Sequence, residues 1–329
     1  MTSPKGVYKL RNGDLNNLLN LISEMPGYRR LLEGIKKQGE MGEISLLNAA
    51  KPYMIAALHK DLKIPLIVIT AKADNASRIK DQLAAWCDSD SDIDLFPEPD
   101  TLPYQRVTSD NFNEAERIRL LSMLLKYEMN KPAPLVVLSA RSLVQKITPI
   151  ADFHSSYHSI KPGMQVEPYQ LLKKWQFLGY KSESIVELPG SMSHRGGIVD
   201  IYPLTSDKPV RMEFMGNTID SLRFFDPQTQ RSLEAVAGIE IGPASELVTP
   251  FLMEEPQLRQ TINAIDLSGL NADIKMQYRH EFNMFSEGRM PVGKQFYAPI
   301  FNNGSILDYL PPRALIVMDE PHIIYQAVE

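Results

Sequence analysis

The sequence predicts an α/β protein in which a parallel-sheet domain is interrupted by an inserted α+β domain carrying an antiparallel sheet. Three observations predict it. Continuous apolar runs at Pro65–Thr70 (PLIVIT), Ile93–Phe96 and Leu135–Leu138 (LVVL) alternate with helix-period segments, as strands buried on both faces do. After about Ser155 the pattern changes, and from Arg195 to Pro227 three short β-rich segments follow one another: Gly197–Leu204, Val210–Met215 and Ile219–Phe225. Thr205-Ser206-Asp207, Gly216-Asn217 and Asp226-Pro227 punctuate them, which reads as an antiparallel meander. Finally, Ala314–Met318 (ALIVM) reads as a strand returning to the first sheet. The segments expected are 1–153, the first part of the α/β domain; 154–242, the insertion; and 243–329, a helix-rich stretch and the return strand.

The elements follow in order. Asp14 is placed to cap a helix with Leu15, Leu18, Leu19 and Ile22 on one face, and Pro26-Gly27 separates it from a second helix carrying Leu31, Leu32 and Ile35. Ile44–Leu47 is expected as a short strand, and Pro52 begins a helix with Ile55, Leu58 and Leu62 inward. Arg78–Trp86 reads as an amphipathic helix burying Ile79, Leu83 and Trp86. A proline-rich connection, Pro97–Tyr104, leads to a helix beginning near Asn113 with Ile118, Leu121, Leu124 and Leu125 at helical spacing. In the insertion, Pro168–Tyr180 is a helix with Leu171, Leu172, Trp175 and Leu178 on one side, ended by Gly179.

In the second β segment Val210, Met212 and Phe214 alternate with Arg211, Glu213 and Met215. One face is therefore apolar, and the other presents a cation, an anion and a soft hydrophobe. From the pattern alone that second face is most simply a solvated one, yet it is also the surface best suited to a partner.

Composition bounds the function. Hydrophobic residues make up 43% and charged residues 23%, an ordinary globular balance, and a net charge of −5 argues against a basic nucleic-acid groove. Cys87 is the only cysteine, so no internal disulfide forms, which suits a reducing cytoplasm. No secretory signal and no membrane-length apolar run is evident, so a cytoplasmic protein without a membrane partner is expected. The six histidines include His154 and His158 at helical spacing, but neither cysteine nor acid completes a metal set, and no nucleophile motif appears. Arg29-Arg30 and Lys36-Lys37 form a short basic face expected to be solvated.

Two motifs stand where a helicase-like ATPase holds nucleotide. ALIVMDEPH ends a strand in Asp319 and Glu320, placed as carboxylates for magnesium and for the attacking water. The phosphate cradle should then fall on LLNAAKPYM, residues 46–54. That stretch has Asn48 but no glycine, and Lys51 is followed by Pro52, which removes both a backbone N–H and the magnesium hydroxyl. A P-loop-NTPase-like domain with a degenerate nucleotide site is therefore expected, with no catalytic residue and no metal.

Leu102-Pro103-Tyr104, the run His194–Pro203 (HRGGIVDIYP), Arg211-Met212-Glu213-Phe214, Ile219–Asp226 (IDSLRFFD) and Leu307–Pro311 (LDYLP) before the ALIVMDE strand carry a family resemblance. Together they resemble the N-terminal, UvrB-like region of the bacterial transcription-repair coupling factor (Mfd) family. The resemblance covers nearly the whole chain and is most specific from about His194 to Asp226. It implies a non-catalytic adaptor that recruits UvrA through the inserted domain. The ATP-driven DNA translocase motor, with its ATP and magnesium, and the contacts to RNA polymerase and DNA would lie downstream of residue 329. It also implies that Arg195, Arg211 and Met215 meet UvrA, with Glu213 and Phe214 on the same strand. Met215 stands where the family has an aromatic. Arg211 is expected on an exposed strand face, dispensable for folding. A monomer without cofactor is expected.

The alternatives are a UvrB-like DNA-damage-binding protein and a helicase-type ATPase core. UvrB has a long aromatic hairpin after the position of Tyr104 and a working P-loop. Here only Gln105–Asn113 separates Tyr104 from the next helix, and the P-loop glycines are absent.

Overall fold

A computed structural model describes residues 15–38, 42–87, 93–99, 111–128 and 131–329. Asp14, Leu102-Pro103-Tyr104 and most of the Gln105–Asn113 link lie outside the described residues. Twelve strands occur among those described. The first three are β1 (Leu66–Thr70), β2 (Ile93–Phe96) and β3 (Leu135–Ser139). A middle group follows: β4 (His158–Ile160), β5 (Lys181–Ser182), β6 (Ser191–Arg195), β7 (Ile198–Ile201), β8 (Val210–Met215), β9 (Thr218–Phe225), β10 (Ser232–Ala235) and β11 (Ile239–Ile241). The last is β12 (Leu315–Met318).

The chain divides into two compact units. One comprises 1–98, 127–144 and 310–329, the other 99–126 and 145–309. In the first unit β12, β1, β3 and β2 form a parallel sheet in that order, with Leu66 level with both Leu315 and Leu135. Every residue of β1 and β3 is buried, which accounts for their uninterrupted apolar sequences. Leu66, Val68, Leu135 and Val137 pack with Ile55 and Leu58 of helix Lys51–Leu62 and with Ile79 and Leu83 of helix Ala73–Leu83. On this unit the short helix Ala140–Val144 contacts β1 and β3, and helix Pro321–Val328 packs against it.

Two expectations need correction here. Ile44–Leu47 is not a strand: 42–47 is irregular and Leu47 is largely exposed, so its apolar residues have no sheet to join. The helix expected from Arg78 begins at Ala73, after an extended Lys72, and ends at Leu83. Trp86 lies past its end and stacks at a tilt on Tyr53, 5.0 Å between ring centres.

The second unit holds a six-stranded sheet in the order β10-β9-β8-β7-β6-β5, antiparallel except for β5 with β6. Strands β4 and β11 make a separate antiparallel pair. Helix Pro168–Phe177 presents Leu171 and Trp175 to one face of the large sheet, where Met192, Val199, Ile201, Val210, Met212, Ile219 and Leu222 meet them. Gly179 closes this helix at φ 98°, and a Cβ there would lie 2.5 Å from Ser245, so both conformation and space require glycine.

Helix Asn111–Leu125 and 243–309 fall in this second unit, outside the 154–242 segment read from sequence. Buried charge ties the two segments to each other. The Glu114 carboxylate accepts from Lys294 Nζ at 2.8 Å, from Ser245 Oγ and from the backbone of Glu246, while Arg117 donates to the Glu246 carboxylate. Burial pushes the Glu246 carboxyl up, and Arg117 opposes it. Leu247, Leu258, Phe282, Phe285, Tyr297 and Phe301 add an aromatic core of their own.

Candidate docking site

The two hairpins β6–β7 and β8–β9 determine the site's position. Each turns through two residues with glycine first: Gly196 at φ 60° and Gly216 at φ 62°, the conformation a tight hairpin turn needs at its first central residue. Strands β6 and β8 both run antiparallel to β7, so both turns lie at one end of the sheet. Arg195 and Met215 are the last residues before those turns and therefore share that end.

Register sets the faces. Arg195 is level with Ile198, Ser193 with Asp200, and Asp200 in turn with Arg211. Arg195, Asp200, Arg211, Glu213 and Met215 thus share the face turned away from helix Pro168–Phe177. Phe214 points to the opposite face, against the core that helix covers. The ladder skips one residue between Glu213 and Phe214, with Asp220 of β9 left over, so the shift leaves the alternation of β8 intact.

Asp200 organises this face. Its carboxylate is 0% exposed and accepts from Arg211 Nε at 2.8 Å and Arg211 Nη2 at 2.9 Å, a two-pronged pair. The same carboxylate accepts from Arg195 Nη2 at 3.2 Å. Arg211 also donates through Nη1 to the Gln230 carbonyl at 3.0 Å and lies over the Phe225 ring, 4.6 Å from its centre. Gln230, at φ 59°, donates its side-chain amide to the carbonyls of Val186 and Pro227. The hydrogen bonds to Asp200 hold the Arg211 guanidinium above its usual range, against the opposing effect of burial. Glu213 accepts from the Ser221 hydroxyl at 2.8 Å.

This arrangement corrects the expectation for Arg211. Its side chain is 12% exposed and committed to partners inside the chain, because the neighbouring strand places a buried carboxylate opposite it. Arg195 differs: it is 50% exposed and uses one donor on Asp200. Met215 is 74% exposed. The face is therefore closed around Asp200, Arg211 and Phe225 and open at the hairpin end. Asp200 lies within HRGGIVDIYP and Phe225 within IDSLRFFD, but the sequence alone assigns neither a role, and it gives no sign of Gln230. A signal for Asp200 was present, since a carboxylate amid the apolar residues of IVDI is unusual in a strand.

The residues expected at a nucleotide site lie in the first unit. Lys51 opens helix Lys51–Leu62, Asn48 is exposed on the short turn before it, and Pro52 is buried in the first helical turn. Asp319 and Glu320 follow β12, where the Asp319 N–H donates to the Ile69 carbonyl. Lys51 Nζ donates to Asp319 Oδ1 at 2.6 Å and to Glu320 Oε1 at 3.0 Å. Burial works to lower the Lys51 amine's affinity for its proton, but these two hydrogen bonds outweigh it and the net shift is upward. The bond from Lys51 holds Glu320 below the ordinary carboxylate range.

Three of the six histidines have partners other than metal. His158 Nε2 accepts from Trp175 Nε1 at 2.9 Å, His59 Nε2 pairs with the Ala133 carbonyl, and His194 meets the Tyr169 ring edge-on. Among the described residues no helix is long and apolar enough to cross a membrane.

The large antiparallel sheet with its arginine-bearing end lies within residues 159–247, which match a model of the UvrB interaction domain. That stretch is thus similar to an interaction domain of the kind found in UvrB. Over nearly its whole length it is similar to the N-terminal region of transcription-repair-coupling factors. That of Bacillus subtilis (strain 168) is 29% identical over 96% of this chain and 27% of its own length. Those of Myxococcus xanthus and Staphylococcus aureus (strain USA300) are 28% and 30% identical, over 84% and 85% of this chain and 24% of their own lengths. The chain therefore spans about a quarter of the length of these relatives.

Proposed function

We propose that this chain is the adaptor region of a transcription-repair coupling factor, docking UvrA through the open end of the β6–β9 sheet. The observation that carries the proposal is the convergence of Arg195 and Arg211 on buried Asp200 inside the stretch matching the UvrB interaction domain. Arg195 is the partner-facing cation and Met215 the apolar contact beside it, a flexible side chain able to fit an irregular pocket. Glu213 borders this patch, Phe214 anchors the strand from beneath, and Arg211 supports it from within. An arginine fork suits a partner carboxylate, and anchors of this kind dominate many interfaces.

The proposal extends to the first unit as a nucleotide site without ligand. There Lys51 is neutralised by Asp319 and Glu320, where a nucleotide-binding lysine would be free for phosphate. The chain is thus read as a cytoplasmic, monomeric and non-catalytic adaptor, with ATP, magnesium, DNA and RNA polymerase engaged by parts of the longer relatives outside it.

Immobilised UvrA from the same organism and the purified 329-residue chain test the reading. Saturable binding by the unaltered chain is expected, weakened ~30-fold or more by Arg195→Ala. Equal binding by a folded Arg195→Ala variant would remove the site, and no binding by the unaltered chain would remove the function.

A further inference from the structure

We infer that Asp200 is a positioning residue for UvrA docking: a buried carboxylate that holds the Arg195 and Arg211 guanidiniums in the geometry the partner meets. This rests on the docking reading above.

Solvated arginines need no internal carboxylate to remain soluble. Placing one at 0% exposure is costly unless its charge is met, and here three N–H donors meet it. The pair with Arg211 is closed on every side: Asp200 across the ladder, the Gln230 carbonyl beyond the next turn and the Phe225 ring beneath. Arg195 is the open member. It sits at the last position of β6, before a glycine turn that would otherwise leave a long side chain free to sweep solvent. One bond to Asp200 Oδ2 restrains it while leaving its other donors for a partner. Two arginines exceed the one buried aspartate by a single positive charge, which Glu213 on the same face offsets.

Positioning and simple charge make opposite predictions. If only charge mattered, removing a negative group beside a cationic patch would strengthen binding to an acidic partner surface. If Asp200 orders the arginines, its removal returns the cost of immobilising them to the binding step and weakens binding.

The test compares Asp200→Asn with the unaltered chain and with Asp273→Asn, an equal charge change on the exposed start of helix Ala272–Ser286. UvrA affinity is measured together with side-chain NMR of arginine-labelled protein, and thermal melts confirm folding. Expected are a roughly 3- to 10-fold loss of affinity for Asp200→Asn, carried by faster dissociation, and no loss for Asp273→Asn. In the Arg195→Ala background Asp200→Asn should cost distinctly less, because Asp200 acts through that side chain. The Arg211 and Arg195 guanidinium signals should be resolved in the unaltered chain and averaged in Asp200→Asn. Unchanged or tighter binding by folded Asp200→Asn, with the unaltered chain binding, overturns this inference alone. Averaged guanidinium signals in the unaltered chain overturn it whatever UvrA does. Ordered signals without any UvrA binding would overturn the docking reading, and with it this role for Asp200.

Discussion

Asp200 and Arg211 stand opposite each other on neighbouring strands and form a two-pronged ion pair within the sheet, the carboxylate fully buried and the guanidinium nearly so. A pair of this kind is far more costly to halve than its net contribution suggests, because the remaining charge has no water to return to.

Arg211→Ala should therefore destabilise the chain by about 3 kcal/mol, with Arg195 only partly compensating Asp200. Arg195→Ala, at a half-exposed position, should cost under about 1 kcal/mol. Denaturant titration of both variants distinguishes them, and equal stability of the two would show that the pair is not the keystone described.

Met215 is the clearest separation of binding from folding. Met215→Ser should change stability by less than about 0.5 kcal/mol and weaken UvrA binding severalfold, since an exposed side chain contributes little to the core. Met215→Phe, which places a ring at the open hairpin end, should bind UvrA at least as tightly as the unaltered chain. Weaker binding by Met215→Phe in a normally folding protein would mean the site does not accept a ring.

Calorimetry with Mg-ATP should show no saturable binding at millimolar nucleotide, because Lys51 is engaged by Asp319 and Glu320 and Pro52 lacks an N–H to offer. Lys51→Ala should lower the melting temperature and gain no affinity for nucleotide. Micromolar binding by the unaltered chain would contradict the assignment of a degenerate site.

His158 makes stability depend on pH. Burial and then the nearby Lys174 charge bring its imidazole down to about 4 from an ordinary 6.5, and Trp175 donates to the nitrogen that would take the proton. The unfolded chain binds this proton at a higher pH than the folded one. Its contribution to stability is therefore complete above about pH 6.5 and is lost as pH falls from there toward about 4. The melting temperature of His158→Gln should fall less steeply than that of the unaltered chain across this window. Parallel curves would show that His158 is not the group responsible.

Much of this architecture was legible in local pattern. Fully apolar β1 and β3 can be satisfied only by cover on both faces, and the Gly216-Asn217 pair between two β-rich segments is turn chemistry, so strand positions and one hairpin followed from residue type. Alternation along β8 correctly put Arg211, Glu213 and Met215 on one face. Ile44–Leu47 misled because its apolar pattern resembles a strand while no neighbouring strand accepts it. A strand exists only through its partner, and that partner is a non-local fact.

The candidate site shows the same boundary more sharply. The periodic alternation of side chains along a strand depends on backbone geometry alone, so the sequence could put Arg211 and Met215 on one face without knowing what lay beside them, whereas Arg195 entered only through the family resemblance and its direction stayed open. Whether each was open or committed depended on register across β6, β7 and β8 and on the turn that brings Gln230 over the sheet. Only the folded chain places Asp200 level with Arg211 and within reach of Arg195. Electrostatic commitment is decided by distances of a few ångströms between residues far apart in the chain, and those distances come from packing.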